Sequence, residues 1–271
     1  MSDYKRTADY SRYTTLQVER DGRIVTVTMN RPHVKNALNH EMHEEFSTIF
    51  SDLDRDDDCD VIVLTGAEDA FSAGGDMNWI REQWNNLPMN AAANRTNRRI
   101  QQTLLDLEKP IIAKVRGPAI GLGCTLCVFC DFVYATPESV FCDPHVRVGL
   151  VAGDGGAIMW PQLIGYARAR RYLLTGDSLT GADAAEIGLI TEAVPEDRLD
   201  DVVDAMARRL ASGATYAIRY TKAAINVGLK VTANAVIGTA VHSENICQFS
   251  NDNRIALDAM IGKEKPTFTG S

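Results

Sequence analysis

Along residues 15–29 apolar and polar side chains alternate, broken only at Asp21-Gly22. That period of two predicts two strands folded back at a tight turn. The period changes after Asn30-Arg31-Pro32: Met42, Phe46, Ile49 and Leu53 recur at helical spacing behind Asn39, a residue suited to the N-cap. Residues 61–65 and 111–115 are short and almost wholly apolar, the pattern of strands buried on both faces. Between them, residues 77–109 are helical and polar with a break at Leu87-Pro88, which suggests a mobile cover. Residues 132–135 and 139–142 predict two more short strands, 144–156 a glycine-rich loop, and 156–165 and 166–175 two helices. Thr180-Gly181-Ala182-Asp183 opens another helix as a capping box with Asp in place of Glu. From Arg198 to about Ser250 the pattern becomes long amphipathic helices, and the polar residues 1–14 read as an arm ordered by contact. No low-complexity linker interrupts this α/β order. Residues 1–197 are expected to form the core that carries the site, and 198–271 a helical region for oligomerisation and closure of the site.

Two glycine-rich turns stand in the same relation to their strands. Phe71-Ser72-Ala73-Gly74-Gly75-Asp76 follows the strand at 61–65, and Arg116 to Gly123 follows the strand at 111–115. Such turns aim backbone N–H groups outward and let a ligand approach the main chain. A helix starting near Leu122 would add the positive end of its dipole. Together they predict an anion site built between repeats.

Composition narrows the partners. The 271 residues are 45% hydrophobic and 24% charged, with 28 basic against 36 acidic side chains and a net charge of −8. With no basic cluster to offset that balance, nucleic acid is excluded as a partner. No uninterrupted apolar run approaches the length of a membrane span, and the N-terminus lacks the apolar region of a signal peptide, so neither membrane association nor export is expected and the location is cytoplasmic. The six cysteines are expected as free thiols, with Cys124, Cys127 and Cys130 on one packed helix face. His40 and His43 lie three apart where the zinc-protease helix needs four, so no metal site is expected.

These motifs, in order, resemble the crotonase (enoyl-CoA hydratase/isomerase) superfamily over almost the whole chain. The matching residues are 29–32 with 36–38, 63–66, 72–76, Lys109-Pro110, 117–123, Cys130-Asp131, 174–176 and 184–189. The resemblance implies a spiral of ββα repeats, a C-terminal helical region that forms homotrimers or dimers of trimers, and a coenzyme A thioester as substrate, with no separate cofactor. It places the two oxyanion-hole donors at the N–H groups of Gly75 and Leu122. It places contacts to the coenzyme at Lys35, Ala37, Ala73, Gly74, Asp76 and Gly121. Two preorganised donors stabilise the charge that develops on a thioester carbonyl, and each is worth ~3–4 kcal/mol of barrier.

The acid–base positions depart from the hydratase pattern. Where a hydratase carries two glutamates, this chain has Thr125 and His145, and threonine cannot act as a carboxylate base. Pro144-His145 and Gly153-Asp154-Gly155-Gly156, with Trp160-Pro161 after them, instead resemble the β-diketone hydrolase and dienoyl-CoA isomerase branches. That likeness assigns catalysis to His145 and Asp154, and adds Glu244 as a further carboxylate. It implies hydrolytic C–C (retro-Claisen) cleavage first, enoyl or dienoyl isomerisation second and hydration third. A catalytically idle, coenzyme-binding trimeric scaffold is the reading of another class, and a scaffold has no use for two oxyanion donors.

Overall fold

The alternating segment folds as its period predicts. In the computed structural model, which describes residues 6–271, β1 (Leu16–Asp21) and β2 (Ile24–Met29) pair antiparallel, with Gly22 at φ +60° in the turn between them. The chain continues through α1 (His40–Arg55), β3 (Val61–Gly66), α2 (Met77–Gln83), α3 (Leu87–Asp106), β4 (Ile111–Val115), β5 (Pro118–Ile120) and α4 (Leu122–Val128). Next come β6 (Phe132–Ala135), β7 (Val140–Cys142), α5 (Gly156–Thr175), β8 (Leu179–Thr180), α6 (Gly181–Glu186) and β9 (Glu192–Ala193). Three helices close it: α7 (Leu199–Ala211), α8 (Thr215–Gln248) and α9 (Asn251–Gly262).

One sheet runs β1-β2-β3-β4-β6-β9, parallel from β2 onward, and a smaller one runs β5-β7-β8. The repeat is ββα: β4 and β6 enter the larger sheet, β5 and β7 the smaller, and a helix follows each pair. The preceding turn of the spiral meets the smaller sheet through a single bridge, Ser72 beside Ala119, and a second bridge sets Leu38 beside Gly75. β3 and β4 are buried along nearly their whole length because both faces are covered. Ile62, Leu64 and Ile111 pack inward with Met42, Phe46, Ile49 and Phe50 of α1, while Val61, Val63 and Ile112 face Val203 and Ala207 of α7. Burying each large apolar side chain contributes roughly 1.5–3 kcal/mol.

Several local expectations shift. Pro118–Ile120, expected as part of the glycine turn, is a strand, because β7 on one side and Ser72 on the other satisfy its backbone. α5 is broken at Gly165, where φ is +76°, at the boundary expected between two helices. The break within 77–109 falls at 84–86, and Pro88 sits in the first turn of α3, where a missing N–H costs little. The glycine-rich 144–156 loop is not wholly irregular, since His145–Val148 is a 3-10 turn. The polarity of α3 comes from buried contacts: Asn90 bonds Gln248 and Asn94 bonds Asn245, both on α8. All six cysteines are free, and Cys130 lies just past the end of α4.

Residues 1–5 of the expected N-terminal arm lie outside the described residues. The rest of the arm is tied to α1 and the turn after it, through Tyr10 to Asp56 (2.6 Å) and Tyr13 to Asp52 (2.7 Å). By length and composition alone α8 could cross a bilayer. Its polar contacts fasten it to the body instead: Lys222 to Asp131 (2.7 Å), Arg219 to Asp60 (2.7 Å), and Glu244 turned inward. Tyr216, Tyr220, Val227 and Val231 leave an apolar face of α8 uncovered in the single chain.

Asn36 locks the first turn beneath the site. It adopts φ +56°, its Oδ1 accepts from Arg31 N (3.0 Å), and its Nδ2 donates to the carbonyls of Ala67 (2.9 Å) and Ala70 (2.7 Å). Asn36→Ala strands those groups and puts alanine in the left-handed region, so urea unfolding should show a loss of roughly 3 kcal/mol. A midpoint unchanged from wild type would rule out this role.

Candidate active site

The two glycine turns press directly on each other. Gly74 has φ +88° and faces the carbonyl of Ile120, so closely that a Cβ there would strike it. Ser72 ties the layers, donating from Oγ to Asn36 O (2.9 Å) and accepting from Gly74 N (3.1 Å). Ile120 N donates to Ser72 O (3.0 Å) and Gly121 N to Cys142 O (2.9 Å). With those neighbours engaged, the N–H groups of Gly75 and Leu122 have no acceptor among the described residues. α4 has seven residues, too few for its dipole to count for much beside these two local donors.

The acid–base groups converge from the loop after β7 and from α8. His145 Nδ1 lies 2.5 Å from Asp143 Oδ1, and its Nε2 lies 3.4 Å from Asp154 Oδ2. Asp154 Oδ1 accepts from Thr125 Oγ1 (2.9 Å) and Gly156 N (3.4 Å), which leaves Oδ2 without a hydrogen-bond partner among the described residues. Glu244 is buried with its Oε2 likewise unpartnered. Burial opposes a charge on His145, but Asp154, then Asp143, then Glu244 outweigh it and hold the ring's pKa well above its usual value. Burial also raises Asp154, with His145 pulling the other way, and it pushes Glu244 up to about 8. At neutral pH the cluster therefore favours a charged His145 and a neutral Glu244.

A cavity of about 180 Å³ brings these groups together. Ala73, Gly74, Gly75, Gly121, Leu122, His145, Asp154 and Glu244, all singled out from the sequence, line it. Lys35, Ala37 and Asp76 lie outside its lining. Lys35 O accepts from Ala73 N (2.8 Å), Ala37 O accepts from Arg31 (2.5 Å), and Asp76 is occupied by Arg31 (3.1 Å) and by capping α2. Asp143 was not foreseen: Asp-Pro reads as turn chemistry, although a carboxylate two residues before a histidine can reach its Nδ1. Asp143, His145 and Asp154 bring potential metal-ligand atoms within 4.8 Å of one another. To ligate an ion, the imidazole would have to leave a carboxylate already facing one of its nitrogens.

A ββα spiral that leaves the N–H groups of Gly75 and Leu122 unbonded beside a proton-carrying cluster has the layout of an enzyme site. More particularly, the chain belongs to the enoyl-CoA hydratase/isomerase family, whose model matches residues 19–271. It is 30% identical to a probable mitochondrial enoyl-CoA hydratase of Dictyostelium discoideum over 96% of this chain and 92% of that protein. An enoyl-CoA hydratase/isomerase structure from Mycobacterium paratuberculosis superposes with a TM-score of 0.89 at 32% identity, covering 92% of this chain and 99% of that one. A β-diketone hydrolase from Anabaena sp. PCC 7120, bound to (S)-3-oxocyclohexyl acetic acid, superposes at 0.83 with 32% identity, covering 89% and 96%. Hydratase names recur among the relatives near 30% identity, so the likenesses favour the hydration expected third over the C–C cleavage expected first.

Glu244 carries a stability consequence. Its carboxyl ionises near 4.5 when unfolded and about 8 when folded, so the native state holds a proton the unfolded chain has lost. Stability from this group is full below 4.5 and is lost as pH rises through 8. Glu244→Gln should therefore gain on wild type between pH 5 and pH 8.5, by on the order of 3 kcal/mol at the alkaline end. Denaturant titrations at the two pH values check this, and parallel pH dependence in both proteins would contradict it.

Proposed function

We propose that this acyl-CoA enzyme of the crotonase fold activates water against a thioester substrate, between the N–H groups of Gly75 and Leu122 and the His145 cluster. One observation carries the reading: Asp154 has one oxygen fixed by Thr125 and the other unpartnered, 3.4 Å from His145 Nε2. Asp154, its pKa raised by burial, takes the proton from water. Charged His145 returns one, with Glu244 as a second reserve. The carbonyl oxygen gathers charge at the two N–H groups, where water is largely excluded.

Two electrophiles suit this arrangement. Addition of water to Cβ of an enoyl thioester gives a 3-hydroxyacyl product, and the hydratase names of the relatives support it. Addition to one carbonyl of a β-diketone, with cleavage of the adjoining C–C bond, gives a carboxylic acid and a carbanion that leaves as an enolate. The donor then protonates that carbon. A histidine in place of a hydratase glutamate and the likeness to the Anabaena hydrolase support this second reading. Crotonyl-CoA and acetoacetyl-CoA separate the two. 3-Hydroxybutyryl-CoA from the first supports hydration, acetate with acetyl-CoA from the second supports cleavage, and turnover of no acyl-CoA tried overturns both.

Whichever electrophile is used, His145→Ala and Asp154→Asn should each lower kcat roughly 10²–10⁴-fold. Rapid turnover that survives loss of His145 would overturn the assignment. Thr125→Val removes the hydrogen bond that favours ionised Asp154, so the acidic limb of the pH–rate profile should move to higher pH while kcat falls about tenfold. An acidic limb unmoved in this variant would separate Thr125 from the chemistry.

A further inference from the structure

The cavity carries a second group of polar atoms that the acid–base chemistry leaves unused. His43 of α1, Trp79 of α2 and Asn97 of α3 line it together, and the rings of His43 and Trp79 lie 5.0 Å apart. His43 Nδ1, Trp79 Nε1 and Asn97 Oδ1 are buried and make no hydrogen bond to any described residue. His43 is 3% exposed and Asn97 7%. Native interiors pair more than nine-tenths of such groups, so three unpaired atoms on side chains that line one cavity call for a polar occupant. An unadorned hydrocarbon chain would leave them all unmet.

The occupant's charge can also be read. Burial, then the nearby His40, pushes His43 down to about 3, so its ring is neutral at any physiological pH. Among the described residues, no lysine or arginine lines the cavity. A carboxylate in this part of the cavity would thus be desolvated with no cation to meet it.

Resting on the reading of the cavity as an acyl-CoA site, we propose that the acyl group it takes carries an uncharged oxygen, hydroxyl or ketone, remote from the thioester and held by Asn97, Trp79 and His43. Trp79 donates its indole N–H to that oxygen. Asn97 accepts a hydroxyl hydrogen through Oδ1 or, with its amide turned over, donates to a ketone. Sites built to bond a substrate oxygen discriminate strongly against the analogue lacking it, because their own buried groups are then left unpaired.

Calorimetric binding of four ligands of one chain length tests this: hexanoyl-CoA, 5-hydroxyhexanoyl-CoA, 5-oxohexanoyl-CoA and adipyl-CoA. One of the two uncharged oxygenated ligands should bind wild type at least about tenfold tighter than hexanoyl-CoA, and adipyl-CoA should bind worse than either. Whichever binds better identifies the oxygen. Asn97→Leu should invert the preference toward hexanoyl-CoA. His43→Phe, which keeps an aromatic ring against Trp79 and removes the nitrogens, should weaken the preference and covers the case in which the leucine variant does not fold. Hexanoyl-CoA binding as tightly as the oxygenated ligands, or a preference that survives both substitutions, overturns the inference while the acyl-CoA reading stands. If no acyl-CoA binds, both fall.

Discussion

Three carboxyl side chains are buried within reach of one imidazole, and much of the surrounding chain is shaped to tolerate this. Three carboxylates cannot all stay charged where water is scarce, so the cluster retains protons that separate groups would release. Room for it is made in backbone. A Cβ on Gly153 would collide with Glu244 Oε2, and one on Gly156 with Asp143 Oδ2. Gly155, at φ +127°, packs against Phe129 and Thr125. From the other side, Gln101 of α3 donates to Gly153 O (3.2 Å) and holds the loop in place. The long helix α8 crosses back over the body far enough to deliver Glu244. Its own anchor is a half-buried ion pair, Lys222 with Asp131, whose carboxylate also receives Ile111 N (2.8 Å) at the start of β4.

Much of this fold was legible because its strongest signals are local. Alternation gave β1 and β2, near-continuous burial gave β3 and β4, and the Thr180 box closes reciprocally with Asp183. Pro118–Ile120 escaped because three residues carry no period, and its pairing partners come from other turns of the spiral. α3 misled for a different reason: a polar helix face looks the same in sequence whether it meets water or the amides of α8. In the site, His145 and Asp154 could be named from their motif, whereas the placing of Asp143 depends on the loop after β7 folding the carboxylate back onto Nδ1. Asn97 offered no signal, and the spacing of His40 and His43 bore only on a metal site, whereas His43 is buried on α1. A buried polar residue on a helix becomes visible only when its missing partner does.

The chain thus separates two kinds of catalytic group by how they are encoded. In the proposed function Gly75 and Leu122 act through backbone N–H groups, so the turns matter and the side chain at Leu122 does not donate. The acid–base groups are side chains, and one substitution at each of a few positions replaces them without disturbing the spiral. A relative that shares the turns shares the oxyanion site whatever its reaction. Identity near 30% can accordingly establish the family while the names within it range over hydratases, an isomerase and a β-diketone hydrolase.

The number of carboxylates around His145 also bears on which way its proton moves. In a triad, one carboxylate orients a histidine that is neutral at rest, and the free nitrogen acts as base. Here Asp143 faces Nδ1 and Asp154 faces Nε2, with Glu244 adding to the field, so the ring rests charged despite its burial. A charged imidazole has no lone pair with which to accept a proton. In the proposed function the base is then a carboxylate, and Asp154 has an unpartnered oxygen in place for it. That assignment makes His145 the donor and Asp154 the acceptor, the reverse of the roles that a histidine beside an aspartate first suggests. It also gives Thr125 a purpose that its lack of a carboxylate had hidden: its hydroxyl favours the ionised form of the carboxylate that takes the proton.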